Sequence, residues 1–182
     1  TDHLLLVGLG KGNGITADKL RQAAGTAAKL AEKSKFKTIS FYIPTDNSAG
    51  DVYAGLSESG DSFPQVVVEG SLLSLYHFDE YKQPEKEKPN RIIQIILLAQ
   101  AKSQVSSTRS AVSRGRKLVT AVATSRDLIS QPSNTATPSY LAGKARELAK
   151  SFGMTCKILN TRDMEKLGMG ALLGVSKGSE EP

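Results

Sequence analysis

A chain of 182 residues, 39% hydrophobic and 23% charged, holds enough apolar side chains for a globular core but no run near the roughly 18 residues of a membrane span. Its single cysteine, Cys156, excludes an internal disulfide and a cysteine-rich metal site, and points to a reducing, cytoplasmic setting. The net charge of +6 permits an acidic or nucleic-acid partner, although a solvated basic surface explains it more simply.

The first apolar run, His3 to Val7, reads as a buried strand. The N-terminus lacks the basic start, apolar centre and small-residue cleavage site of a signal peptide. Glycines come next at alternate positions, Gly8, Gly10, Gly12 and Gly14. Thr16 then offers an N-cap, with Asp18 in the first turn. Leu20, Ala23, Ala24, Ala27, Leu30 and Ala31 repeat at helical spacing, and Lys29, Lys33 and Lys35 gather near the helix end. Lys37 to Ile43 reads as a second strand, stopped by Pro44. If the two strands are parallel, these elements form a right-handed βαβ unit.

Residues 47–62 are rich in Gly, Ser and Asp and give no firm pattern. Residues 64–76 read as a helix despite Gly70, 82–90 as a charged, proline-bracketed loop, and 91–98 as a third strand. The longest apolar stretch, residues 92–101, is interrupted by Gln94 and Gln100. A long helix is predicted over 104–130, with Val112, Leu118, Val119, Val122 and Ile129 along one side. Gln131 to Asn134 breaks it. Thr137 and Pro138 then open a helix that carries Leu141, Ala145, Leu148 and Ala149 and closes at Gly153. Met154 to Leu159 reads as a strand, 161–167 as a short helix ended by Gly168, and 171–175 as an apolar run before a polar tail. The helix break places a domain boundary near Gln131. The elements beyond it are too few to bury a core of their own, and look like the start of a larger domain.

The glycine turn invites a nucleotide-binding reading, which its spacing does not support. A dinucleotide fingerprint starting at Gly8 and Gly10 needs a third glycine where Asn13 stands, and no acidic residue occurs near position 28 to hold a ribose. A phosphate-binding loop would need Ser or Thr after Lys11, where Gly12 stands. A strand-to-helix turn that uses glycine's conformational freedom is the better account. The two histidines, His3 and His77, belong to no visible ligand cluster, although His77 lies near Asp79. Cys156 alternates with Met154 and Ile158, which predicts a small core residue rather than a nucleophile. No serine sits in a G-x-S-x-G elbow. Lys102, Arg109, Arg114, Arg116, Lys117 and Arg126 occur with no acidic residue between positions 99 and 126. Such a helix could neutralise phosphates, but its cations form no clean stripe and it lacks interleaved aromatics. A subunit or domain contact, or solvation, is the preferred reading. The residues alone give no catalytic constellation.

As an ordered set, LLLVGLGK (4–11), GSLLSLYHFDEYK (70–82), SRDLISQPSNTATPSYLAGKARELA (125–149) and MEKLGMGALLGVSKGSEEP (164–182) resemble the leucyl aminopeptidase, or cytosol aminopeptidase, family. The most specific parts are Arg126 to Tyr140 and Leu167 to Pro182. The resemblance implies an α/β fold: a macro-domain-like N-terminal layer domain over 1–104, missing its first strands, a linker helix over 105–131, and the first helix-strand-helix of an incomplete catalytic domain over 132–182. It further implies a cytoplasmic, commonly hexameric peptidase. In that family two divalent ions, zinc, manganese or magnesium, activate a water that attacks the first peptide bond of a peptide substrate. The family's metal-binding and catalytic segments have no match in this chain. No catalytic, cofactor-binding or metal residue is therefore assigned, and the chain alone is expected to be inactive, with no metal bound. The alternative is a macro-like module that binds nucleic acid or a nucleotide through the basic helix 102–126.

Overall fold

The computed structural model describes residues 3–11, 15–44, 56, 60–83 and 91–180. These fall into two compact units, 1–127 and 128–182.

In the first unit, helix α1 (Ala17–Lys33) starts where the Thr16 hydroxyl accepts from the Lys19 amide at 3.3 Å. It buries Ala17, Leu20, Ala24, Ala27, Ala28 and Ala31, as its spacing predicts. The helix ends with Phe36 N donating to Ala31 O, across Lys35 at φ 64°. Strand β1 (Thr38–Tyr42) and strand β2 (Gln94–Leu98) pair in parallel, Thr38 opposite Gln94 through Tyr42 opposite Leu98. Helix α2 (Phe63–Ser74) lies between them in sequence, so the βαβ unit is β1-α2-β2. The sequence placed it one element earlier.

Residues 3–7 are not a buried strand. They join no ladder, and Leu4 and Leu6 are 86% and 83% exposed. Apolar side chains favour burial, but a strand exists only where its backbone finds a hydrogen-bonded neighbour. The segment instead borders an open apolar groove of about 690 Å³ shared with Leu20, Leu30, Phe36 and Phe41.

Helix α2 is the centre of the unit, with Pro64 to Ser71 all buried. Glycines let its neighbours approach closely. A Cβ on Gly70 would lie 2.1 Å from Arg21 O of α1, and one on Gly25 would lie 3.0 Å from Gly70 O. On helix α3 (Gln104–Ser130), a Cβ on Gly115 would lie 3.1 Å from Gln65 O. The core of Ala17, Leu20, Leu56 and Val66 is completed by Leu9, Ile15 and Phe63. The 27-residue α3 has the predicted bounds, yet Gly115 is its one buried residue among those described. Its apolar Leu118, Val122 and Ile129 are exposed.

In the second unit, helix α4 (Pro138–Phe152) is capped by the Thr137 hydroxyl accepting from Tyr140 N, and ends at Gly153 with φ 65°. Helix α5 (Thr161–Lys166) opens with a reciprocal cap between Asn160 and Asp163. The apolar run 171–175 belongs to helix α6 (Gly170–Ser176). Residues 154–159 form no ladder, and Cys156 is exposed rather than part of a core. The alternation that suggested a strand has no paired neighbour to turn it into one.

Candidate functional site

The glycine turn is described at Gly8 and Gly10; Gly12, Asn13 and Gly14 lie outside the described residues. Gly10 has φ +82°, a conformation that favours glycine, and at Gly8 and Gly10 a Cβ would meet no atom of the described residues within 4 Å. His3 stacks at a tilt on Phe36, with centroids 4.7 Å apart.

His77 is more engaged than its sequence position suggests. It comes after α2, and its Nε2 lies 2.7 Å from Arg91 Nη1 and 3.3 Å from Glu32 Oε2 at the end of α1. Arg91 Nη2 also donates to Asp79 Oδ2 at 2.9 Å, and Lys82 Nζ donates to Asp79 Oδ1 at 2.8 Å. Lys82 foremost, and then Arg91, holds the Asp79 carboxyl below its ordinary range.

A second cluster joins α1 to α2. Arg21 Nε donates to Glu69 Oε2 at 2.6 Å and Arg21 Nη2 to Asp61 Oδ2 at 2.7 Å. Gln65 Nε2 donates to both carboxylates, Asp61 Oδ1 at 3.1 Å and Glu69 Oε1 at 2.9 Å. Burial works against the Arg21 charge, but the bonds to Glu69 and Asp61 win and its pKa is raised. Sequence reasoning passed over these residues. The available signal was Glu69 itself, one acid between three valines and an apolar run, which requires a cation nearby once the helix is buried.

A third cluster clasps α3 to α2. Arg126 Nη1 donates to the Leu73 carbonyl at 2.8 Å, and its guanidinium lies 5.3 Å from the centre of the Tyr76 ring. Tyr76 in turn donates to Asp127 Oδ1 at 2.7 Å. Of the basic residues on the helix, Arg126 is thus part-buried and engaged. Arg109 and Arg116 border a groove of about 850 Å³ with Ile93, Ile95, Leu97 and Val112. Lys102, Arg114 and Lys117 are exposed.

These clusters close on themselves through complementary charges and fix helices to one another. None pairs a nucleophile with a base. Among the described residues, no group of three His, Cys, Asp or Glu side chains could hold a metal ion. The described residues therefore do not make up a two-metal centre.

Comparison with known proteins adds what the geometry does not carry. Residues 1–85 match the N-terminal domain of the cytosol aminopeptidase family, and residues 123–182 match the catalytic domain of that family. A probable cytosol aminopeptidase of Geotalea uraniireducens is 36% identical over 183 residues, covering 100% of this chain and 34% of that protein. One from Rippkaea orientalis is 34% identical, covering 98% and 33%. The chain spans about a third of the length of the curated relatives it matches.

Among solved structures, the bottromycin maturation enzyme BotP in complex with Mn aligns with a TM-score of 0.74 and 28% identity, over 97% of this chain and 34% of that one. A tomato leucine aminopeptidase variant shares the fold, with a TM-score of 0.73 at 19% identity. The reading of helix 102–126 as a nucleic-acid interface gains no support from these relatives, and Arg126 is committed to α2. The N-terminal and the catalytic domain of one family match in succession along a single polypeptide, and on that ordered match this chain belongs to the cytosol aminopeptidase family.

Proposed function

We propose that this chain works as part of a metal-dependent aminopeptidase of the leucyl type, which removes N-terminal residues from peptides. The observation that carries the reading is the ordered match to the N-terminal and then the catalytic domain of one peptidase family. Residues 1–104 would be the N-terminal α/β domain, 105–131 the linker helix, and 132–182 the beginning of the catalytic domain. The enzyme would be cytoplasmic and hexameric.

Two divalent ions, of zinc, manganese or magnesium, belong to this reading, and the Mn complex of BotP favours manganese. When bound, such ions activate a water and polarise a carbonyl. The described residues do not form their site, and no reaction step is drawn through such ions here. What this chain supplies is packing: α2 gripped between α1 and α3, and α3 clasped near its end by Arg126, Tyr76 and Asp127.

Hydrolysis of leucyl-p-nitroanilide with added Mn²⁺ tests the proposal in two arms. The 182-residue chain should show no metal-dependent turnover. The same chain extended with the remaining catalytic segment of the Geotalea relative should show it, and lose it to a chelator. Turnover by the chain alone would overturn its inactivity. A folded, metal-loaded but inert extended protein would overturn the peptidase reading. Sedimentation of the extended protein tests the hexamer.

A further inference from the structure

We propose that His77 is a proton-operated switch that exchanges Arg91 for Glu32, tying the end of α1 to the entry of β2 differently in its two states. The inference is independent of the peptidase reading. One ring nitrogen has two incompatible neighbours. Nε2 of His77 lies 2.7 Å from Arg91 Nη1 and 3.3 Å from Glu32 Oε2. A guanidinium can only donate, and an ionised carboxylate can only accept. The same ring nitrogen cannot satisfy both in one protonation state.

In the neutral ring, the short contact to Arg91 requires a lone pair on Nε2 and the proton on Nδ1. Arg91 then bridges His77 and Asp79, its second nitrogen 2.9 Å from Asp79 Oδ2. When a solvent proton adds to Nε2, the lone pair is gone and two cations face each other at hydrogen-bond distance. The new N–H points its charge toward Glu32 Oε2. Arg91 has a destination as well, because Glu32 Oε1 lies 3.9 Å from its Nη1. After the exchange, one carboxylate bridges both cations.

Among the described residues, Glu32 from α1 and Arg91 from the approach to β2 contact the ring, and Asp79 and Lys82 from the turn after α2 are linked to it through Arg91. Side chains of His77 and Arg91 are 30% and 33% exposed, so a proton reaches the ring without unfolding. The mechanical consequence falls at the sheet. Arg91 stands two residues before Ile93, whose amide donates to Lys37 O at 2.8 Å and begins the pairing of β2 with β1.

Nitrogen-15 NMR of the imidazoles in the full chain, from roughly pH 8 to roughly pH 5 where histidine titrates, reads the switch directly. The chain has two histidines, so His3→Gln assigns them. At high pH, His77 should carry its proton mainly on Nδ1. In Arg91→Ala the main form should become Nε2–H, directed at Glu32. In the unaltered chain, the Ile93 amide signal should track the ring's titration, and in Arg91→Ala it should cease to do so. A majority Nε2–H form in the unaltered chain at high pH would overturn the proposal without any variant. An Ile93 amide indifferent to the ring, or a tautomer balance unmoved by Arg91→Ala, would do so as well.

Discussion

Adding one methyl group at different helical glycines should change stability in opposite directions. Alanine is favoured over glycine inside a helix by about 1 kcal/mol. At Gly143 of α4 nothing lies within 4 Å of the new carbon, so Gly143→Ala should raise helix content in the second unit by that preference. At Gly70 the carbon would meet the Arg21 backbone at 2.1 Å, and backbone cannot swing aside. Gly70→Ala should therefore destabilise the first unit by roughly 1–3 kcal/mol or more, the range for overpacking. Gly115→Ala, with Gln65 O at 3.1 Å and Val68 Cγ1 at 3.4 Å, should fall near zero. Urea unfolding monitored by circular dichroism ranks the three. A tolerated Gly70→Ala would mean that α1 and α2 are not in close contact there. The sequence marked Gly70 only as a flaw in a predicted helix; its use depends on Arg21, far away along the chain, and no local pattern contains that distance. Glu69 is similar. Glu69→Ala leaves Arg21 with Asp61 alone and should cost roughly 2–3 kcal/mol, the scale of a charge-assisted bond lost from a part-buried pair.

Among the elements, those with explicit punctuation were legible. Thr137, Pro138 and Gly153 delimit α4, and Thr16 starts α1, because caps act through neighbours three or four residues away. Residues 3–7 and 154–159 do not form the expected strands because a strand depends on a partner that local sequence does not name. The end of α2 shows how a cap can also be remote. Its Leu73 carbonyl is met by Arg126 of α3, a cation where the helix dipole is negative. Arg126→Ala should cost about 1–2 kcal/mol, and Tyr76→Phe, which loses the bond to Asp127, about 1 kcal/mol. Amide exchange in the last turn of α2 should quicken in the first variant more than in the second. In the turn beyond, Asp79 titrates below its ordinary 3.8. A carboxyl lowered by folding contributes stability above its unfolded value and loses it as pH falls through the folded one. The contribution of Asp79 to the turn should thus be lost below about pH 4. Carbon-13 titration should show Asp79 moving upward in Lys82→Ala, and less so in Arg91→Ala, because Lys82 is the stronger influence.

The two units differ in how much they bury, and this governs the behaviour of the whole chain. The first encloses helix α2 and a core of Ala17, Leu20, Leu56 and Val66. In the second, Ala149 and Gln131 are the buried residues among those described, while Leu141, Phe152, Met154, Leu167, Leu172 and Val175 are exposed. Burying a large apolar side chain is worth about 1.5–3 kcal/mol, whereas ordering each residue's backbone costs about 1–2 kcal/mol. The second unit recovers almost none of that cost, so its helices rest on caps and propensity. The scarcity of a core after Gln131 was legible from length and pattern. That α3 would leave Leu118, Val122 and Ile129 exposed was not, because periodicity locates an apolar side without saying what covers it. Hydrogen exchange on the intact chain should separate the units. Amides in α1 and α2 should exchange only through cooperative opening, and those in α4, α5 and α6 far faster, through local opening. Lengthening the chain with the rest of a relative's catalytic domain should slow exchange in α4–α6 and leave α1 and α2 as they were. Equal protection in both units of the 182-residue chain would show that the second holds together by interactions other than the burial described.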